Sequence, residues 1–228
     1  MNLLPDYWME RPESETGEAA SLAFDRLLES TLARGENPLI HYALPAPKWQ
    51  FLCHVAERYP IVFHGSGNPN IVRFEPRQSN DLNPFGNQRA VYAASDGIWA
   101  MFFAIVDRDQ HVMSVNNACI RLVERDGKVS GPFYVFSVSR PAIEHQPWRT
   151  GTVYLLPGET FTPQDSIPFG PGEVRIAQLA SPSPVRPLAR LAVSPGDFPF
   201  LKQIRGHDDS RLQEYSTALQ TGAPWPDD

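Results

Sequence analysis

The run Ala90-Val91-Tyr92-Ala93-Ala94 leads without a break into Ser95-Asp96 and then into Gly97-Ile98-Trp99-Ala100-Met101-Phe102-Phe103-Ala104-Ile105. No other stretch limits the fold so much. The first five residues predict a short strand. Ser95-Asp96 is an N-cap pair, and Ile98, Met101, Phe102 and Ile105 fall at helical spacing on one face. Upstream, the apolar run Ile61-Val62-Phe63 ends in His64-Gly65-Ser66. A buried strand that stops in a polar triplet with a glycine can hold a backbone edge open to a ligand. The order is therefore strand, open loop, strand, helix.

With 228 residues the chain suits one compact domain with its own core. We divide it into an N-terminal arm and helices over 1–59, a core over 60–195 and a helical tail over 196–228. Its 23 prolines gather in the later half and favour short strands and loops over long helices. A net charge of −6 without a long basic run argues against non-specific binding to nucleic acid or anionic membrane. Cys53 and Cys119 stand in apolar surroundings and read as two reduced, buried thiols. The sequence lacks a membrane-length apolar run and a basic-then-apolar leader, which predicts a soluble cytoplasmic protein with no membrane partner.

In chain order, residues 1–16 read as an irregular arm and Ala19–Ala33 and Lys48–Tyr59 as helices covering a sheet. Val112–Val123 reads as a strand with a bend or bulge at Asn116-Asn117. Asp126-Gly127 is a hairpin turn signal, and Pro132–Ser139 and Thr152–Leu156 are strands. Residues 163–172 read as a loop. Glu173–Leu179 and Val185–Val193 read as two strands joined by the Ser181–Pro184 turn. Asp208–Leu219 reads as a surface helix.

Phosphate loops, dinucleotide glycine fingerprints, nucleophile elbows and zinc spacings are missing from the sequence. What remains is a combination: Phe63-His64-Gly65-Ser66, then Gly86-Asn87-Gln88-Arg89-Ala90-Val91-Tyr92 before a helix, then a glutamate opening a late strand. This combination resembles the ADP-ribosyltransferases, in particular the His-Tyr-Glu branch that includes diphtheria toxin and the poly-ADP-ribose polymerases. The resemblance covers about residues 61–193. It implies an α+β fold built on a split, mostly antiparallel sheet with flanking N- and C-terminal helices.

The resemblance also implies an activity, transfer of ADP-ribose from NAD to an acceptor that is a protein, a nucleic acid or a small molecule. NAD is then the co-substrate, no metal takes part, and the role is that of a toxin or defence effector with room for an inhibitory partner protein. His64 would bond the adenosine ribose, the Gly65 backbone would pair with the carboxamide, and Ser66 would assist. Tyr92 would stack on nicotinamide with Phe102 or Phe103 behind it, and Arg77 would meet a phosphate. The catalytic carboxylate, stabilising an oxocarbenium-like ribose, would be Glu173, which opens a late strand; Glu159 competes for the role. Pro171, two residues before Glu173, departs from the Glu-x-Glu and Gln-x-Glu elements of the arginine- and guanine-modifying branches. Two rival readings are a fold that has lost its chemistry and serves as a binding module, and an NAD-dependent RNA 2′-phosphotransferase. The latter lacks a basic cluster and paired arginine motifs here.

Overall fold

In a computed structural model the described residues are 4–13, 17–81 and 83–226. After the short strand β1 (Met9–Glu10) come helices α1 (Glu18–Leu32) and α2 (Lys48–Arg58), then β2 (Ile61–Ser66), β3 (Arg77–Gln78) and β4 (Arg89–Ala94). Helix α3 (Gly97–Ile105) leads to the long pair β5 (Val115–Val123) and β6 (Val129–Ser139), the short helix α4 (Arg140–Ile143) and β7 (Gly151–Pro157). The chain closes through β8 (Thr162–Pro163), β9 (Ile167–Phe169), β10 (Gly172–Ile176), β11 (Gln178–Ser181), β12 (Ala189–Val193), β13 (Arg205–His207) and α5 (Leu212–Thr221). The architecture is mixed α and β with two largely antiparallel sheets. One runs β12-β7-β2-β4-β11-β8, with β3 on β4; the other runs β1-β6-β5-β10-β9, with β13 on β6.

Helix α3 forms where its cap and apolar run place it. Asp96 is extended at φ −129° and its carboxylate accepts the Trp99 N–H at 2.9 Å. All of α3 except Phe103 is buried, so it is a core helix and not an amphipathic cover. It packs on β2 and β7 through backbone contact: a Cβ at Gly65 or Gly151 would overlap the carbonyl oxygens of Ala100 or Ala104. Around it one core joins both sheets, with Phe63, Val153 and Leu191 from the first, Tyr134, Phe136 and Val138 from the second, and Phe24, Leu28, Phe51 and Leu52 from α1 and α2. Asp25 on α1 ties to α2 through His54 Nε2 at 2.6 Å and to the Tyr59 hydroxyl at 2.9 Å.

Several expectations need correction. The part of the N-terminal arm that is described is packed, with Tyr7 and Trp8 buried and β1 on the edge of β6; residues 1–3 and 14–16 lie outside the described residues. Arg11 reaches 3.1 Å from the Asp96 carboxylate. The register irregularity of β5 falls between Ile120 and Leu122, and Asn116 and Asn117 pair regularly. The proline-rich span 163–172 contributes β9 and the end of β8, which take up places at sheet edges where a missing N–H is tolerated. The late strands do not form a hairpin: β11 pairs with β4 and β12 with β7, with β2 between β7 and β4. Helix α5 starts at Leu212 and is anchored by Tyr215 and Ala218, both buried.

Candidate ligand site where two strands part

Strand β2 is paired along its whole length with β7, from Ile61 opposite Pro157 to Ser66 opposite Thr152. With β4 it pairs only at Phe63–Ala94. Successive residues of a strand turn their backbone groups to alternate neighbours. The Pro60 carbonyl accepts from Gly158 on the β7 side at 2.9 Å, so Val62, His64 and Ser66 face β7, and Phe63 and Gly65 face β4. Leu155, opposite Phe63, agrees by giving its carbonyl to Leu188 on the β12 side. Phe63 finds Ala94. Gly65, the next residue turned that way, has no ladder partner.

The His64 side chain reaches into this gap. Its Nδ1 lies 2.7 Å from the Tyr92 carbonyl oxygen. A carbonyl only accepts, so Nδ1 carries the proton and Nε2 is left as an acceptor without a partner among the described residues. Burial pushes the imidazole pKa down, against the opposing pull of that hydrogen bond, and favours the neutral ring. Phe74 lies against the ring at 4.6 Å between centroids. Ser66 Oγ accepts the Asn68 N–H at 3.1 Å, which leaves its own hydrogen free to donate.

The other expected residues fare unevenly. Val62, Val91 and Ala93 share a cluster on the His64 face, whereas Tyr92 alternates with them and leaves the opposite face of β4. Its hydroxyl clamps the preceding turn, accepting from Gln88 N at 2.9 Å and lying 3.1 Å from the Phe85 carbonyl. His64 and Tyr92 thus meet through a main-chain oxygen and not across one pocket. Phe102 is fully buried against Phe136 and Phe198, so it has no face for a ligand; Phe103, half-buried beside Trp99, is the ring that α3 leaves accessible. Arg77 stands exposed on β3 at the outer side of β4.

Neither glutamate joins them. Glu173 lies in the other sheet, opposite Val123, with its carboxylate taken by Ser166 at 2.8 Å and Arg175 at 3.2 Å. About 13 Å of strand separate it from Ala177, where the chain crosses between sheets; Ala180, three residues further, faces Tyr92. Glu159 is exposed at the Pro157 end of β7, four residues of strand from the Gly65 row. The side chain that β11 brings into the Phe63–Ala94 row is Gln178, an uncharged amide. Reading Glu173–Leu179 as one unbroken strand hid it, because no local feature marks the crossing. Arg149 was also missed: it lies against Gly67, the residue after Ser66, but its partners are about forty positions away in sequence. Among the described residues no group of three His, Cys, Asp or Glu side chains is arranged to hold a metal, and no helix is long and apolar enough to cross a membrane. Comparison with protein-family models, with curated proteins and with solved structures returns no match.

Proposed function

We propose that the chain is an ADP-ribosyltransferase-like protein that holds NAD by its nicotinamide end in the gap beside β2, and that it acts as an NAD-binding module without transferring ADP-ribose. The observation that carries this reading is the Gly65 backbone, whose N–H and C=O face a gap with no ladder partner. A primary carboxamide offers one acceptor and one pair of donors, the complement of one residue's exposed N–H and C=O. His64 Nε2 is an acceptor suited to a ribose hydroxyl, Ser66 has a free hydroxyl hydrogen, and Phe103 is the ring that α3 leaves accessible. In this reading the two largely antiparallel sheets, one of them opened between β2 and β4 after Phe63, are a form of the split sheet, and the protein works in the cytoplasm, where NAD is present.

Transfer is set aside for a chemical reason. Departure of nicotinamide needs negative charge beside the ribose as positive charge grows on it, and Gln178 supplies none. The test is titration with NAD and with nicotinamide, followed by incubation with labelled NAD. Binding of both ligands with no protein-dependent nicotinamide release is the expected result. Release or labelling of an acceptor would restore the transferase reading, and failure of both ligands to bind would remove the site.

A further inference from the structure

Arg149 is held with unusual care for a residue that uses one nitrogen. Its N–H bonds the Ile105 carbonyl at 2.8 Å, and Asp107 N bonds Pro147 at 2.9 Å, so the backbones of 105–107 and 147–149 are fixed to each other. Nη1 donates to Asp107 at 3.2 Å and also contacts the Asp109 carboxylate. Nε is buried without a partner, and Nη2 makes no hydrogen bond among the described residues. Gly67 lies against the guanidinium, where a Cβ would overlap Cζ, Nε and Nη2.

An unmet buried donor costs free energy, so it needs an occupant or a reason. The Nε–Nη2 edge is the side of arginine that takes two oxygens of one phosphate or carboxylate. It packs against Gly67, two residues and at most about 7 Å of chain beyond Gly65. The two acidic neighbours differ. Asp107 is mostly buried and also accepts the N–H groups of Asp109 and Gln110 at 3.3 and 3.2 Å, so it is a fixed part of the turn. Asp109 is 77% exposed and its contact to Arg149 is the one side-chain bond it makes among the described residues.

We infer that Arg149 is a phosphate-binding residue beside Gly67, just beyond β2, oriented by Asp107 and opposed by Asp109, whose carboxylate on Nη1 offsets the positive charge that a diphosphate would meet at the Nε–Nη2 edge. The placement rests on the NAD-binding reading, since NAD carries its diphosphate one ribose away from the nicotinamide that Gly65 would hold. Asp109 then weakens anion binding by its charge, without occupying the Nε–Nη2 edge.

The test uses calorimetric titration of the full chain with nicotinamide, ADP-ribose and inorganic pyrophosphate. Arg149→Gln should weaken ADP-ribose and pyrophosphate by about ten- to a hundredfold and leave nicotinamide within about twofold, whereas Asp109→Asn should strengthen both phosphate ligands. Arg149→Lys keeps the charge without the fork and should fall between. If Arg149→Gln does not fold, competition on the wild type decides: pyrophosphate should displace ADP-ribose and not nicotinamide. Equal ADP-ribose affinity in Arg149→Gln, or pyrophosphate without effect on wild type, overturns the inference. A wild type that ignores nicotinamide and NAD yet binds pyrophosphate through Arg149 would overturn the NAD reading alone.

Discussion

The imidazole Nδ1 of His64 lies 2.7 Å from the carbonyl oxygen of Tyr92, in the position where a β2–β4 ladder would continue. A side chain has taken over a main-chain acceptor, and the neighbouring Gly65 is left facing the gap. His64 and Tyr92 therefore meet through Tyr92's backbone and not its phenol.

This contact makes stability depend on pH. The His64 pKa is depressed from its ordinary 6.5 by burial. The unfolded chain therefore takes up the proton first as pH falls. The stability is complete above about pH 6.5 and is lost as pH falls through the lower, folded-state value. Melting temperatures between pH 8 and pH 5 should drop more steeply for wild type than for His64→Gln. The other histidines are common to both proteins, so parallel curves would contradict the assignment.

Gly65 is constrained from a side that sequence did not reveal. Its missing Cβ faces Ala100 and Ala104 on α3, not the ligand gap. Gly65→Val should loosen α3 and lower stability by about 3 kcal/mol or more, at the upper end of overpacking. Urea unfolding checks this, and an unchanged midpoint would mean that α3 shifts freely. Loss of NAD binding in this variant would not by itself identify a carboxamide contact.

Asp96 gathers the Trp99 N–H, Arg11 and the Tyr134 hydroxyl, the last at 2.9 Å, at a site only 4% exposed. Asp96→Ala should cost about 3–5 kcal/mol, because Arg11 and Tyr134 lose a shared partner. A double-mutant cycle with Arg11→Met should return a clear coupling energy. Additive effects would show that the N-terminal segment docks independently of Asp96.

Glu173 should behave as a solvated strand residue. Glu173→Gln is expected to change stability by less than about 0.5 kcal/mol and to leave NAD affinity unchanged. A large loss of NAD affinity, measured by the same titration as wild type, would mean that β10 approaches the gap in solution.

Both cysteines are buried, and burial raises the thiol pKa at Cys53 and Cys119. Native protein should therefore react with a thiol reagent only as fast as it unfolds, whereas in urea both thiols should react quickly. Rapid labelling of the native chain would contradict the packing around α2 and β5.

Features whose cause is local were readable. The Asp96 cap and the Ile98, Met101, Phe102 and Ile105 spacing fixed α3, because cap and stripe sit within a few residues. Gly65 was visible as special, but its reason depends on Ala100, which the fold alone brings beneath it. Glu173 misled because β10 and β11 look like one strand. At Ala177 the N–H goes to Cys119 in one sheet and the carbonyl to Ser95 beside the other, a change of partners that sequence does not mark. The same limit applies to β12, which follows a convincing turn yet pairs with β7 instead of β11.

The outer edge of β6 is covered at Phe133 and Tyr134 by β1 and at Ser137–Ser139 by β13. The two covering strands come from residues 9–10 and 205–207, so β1 is made before β6, whereas the stretch at Ser137–Ser139 stays open during synthesis until residues 205–207 follow. At about 5–20 residues per second, β6 waits several seconds with an exposed apolar edge of the kind that recruits other strands. Closing this edge therefore depends on β13, a segment made long after the strand it protects.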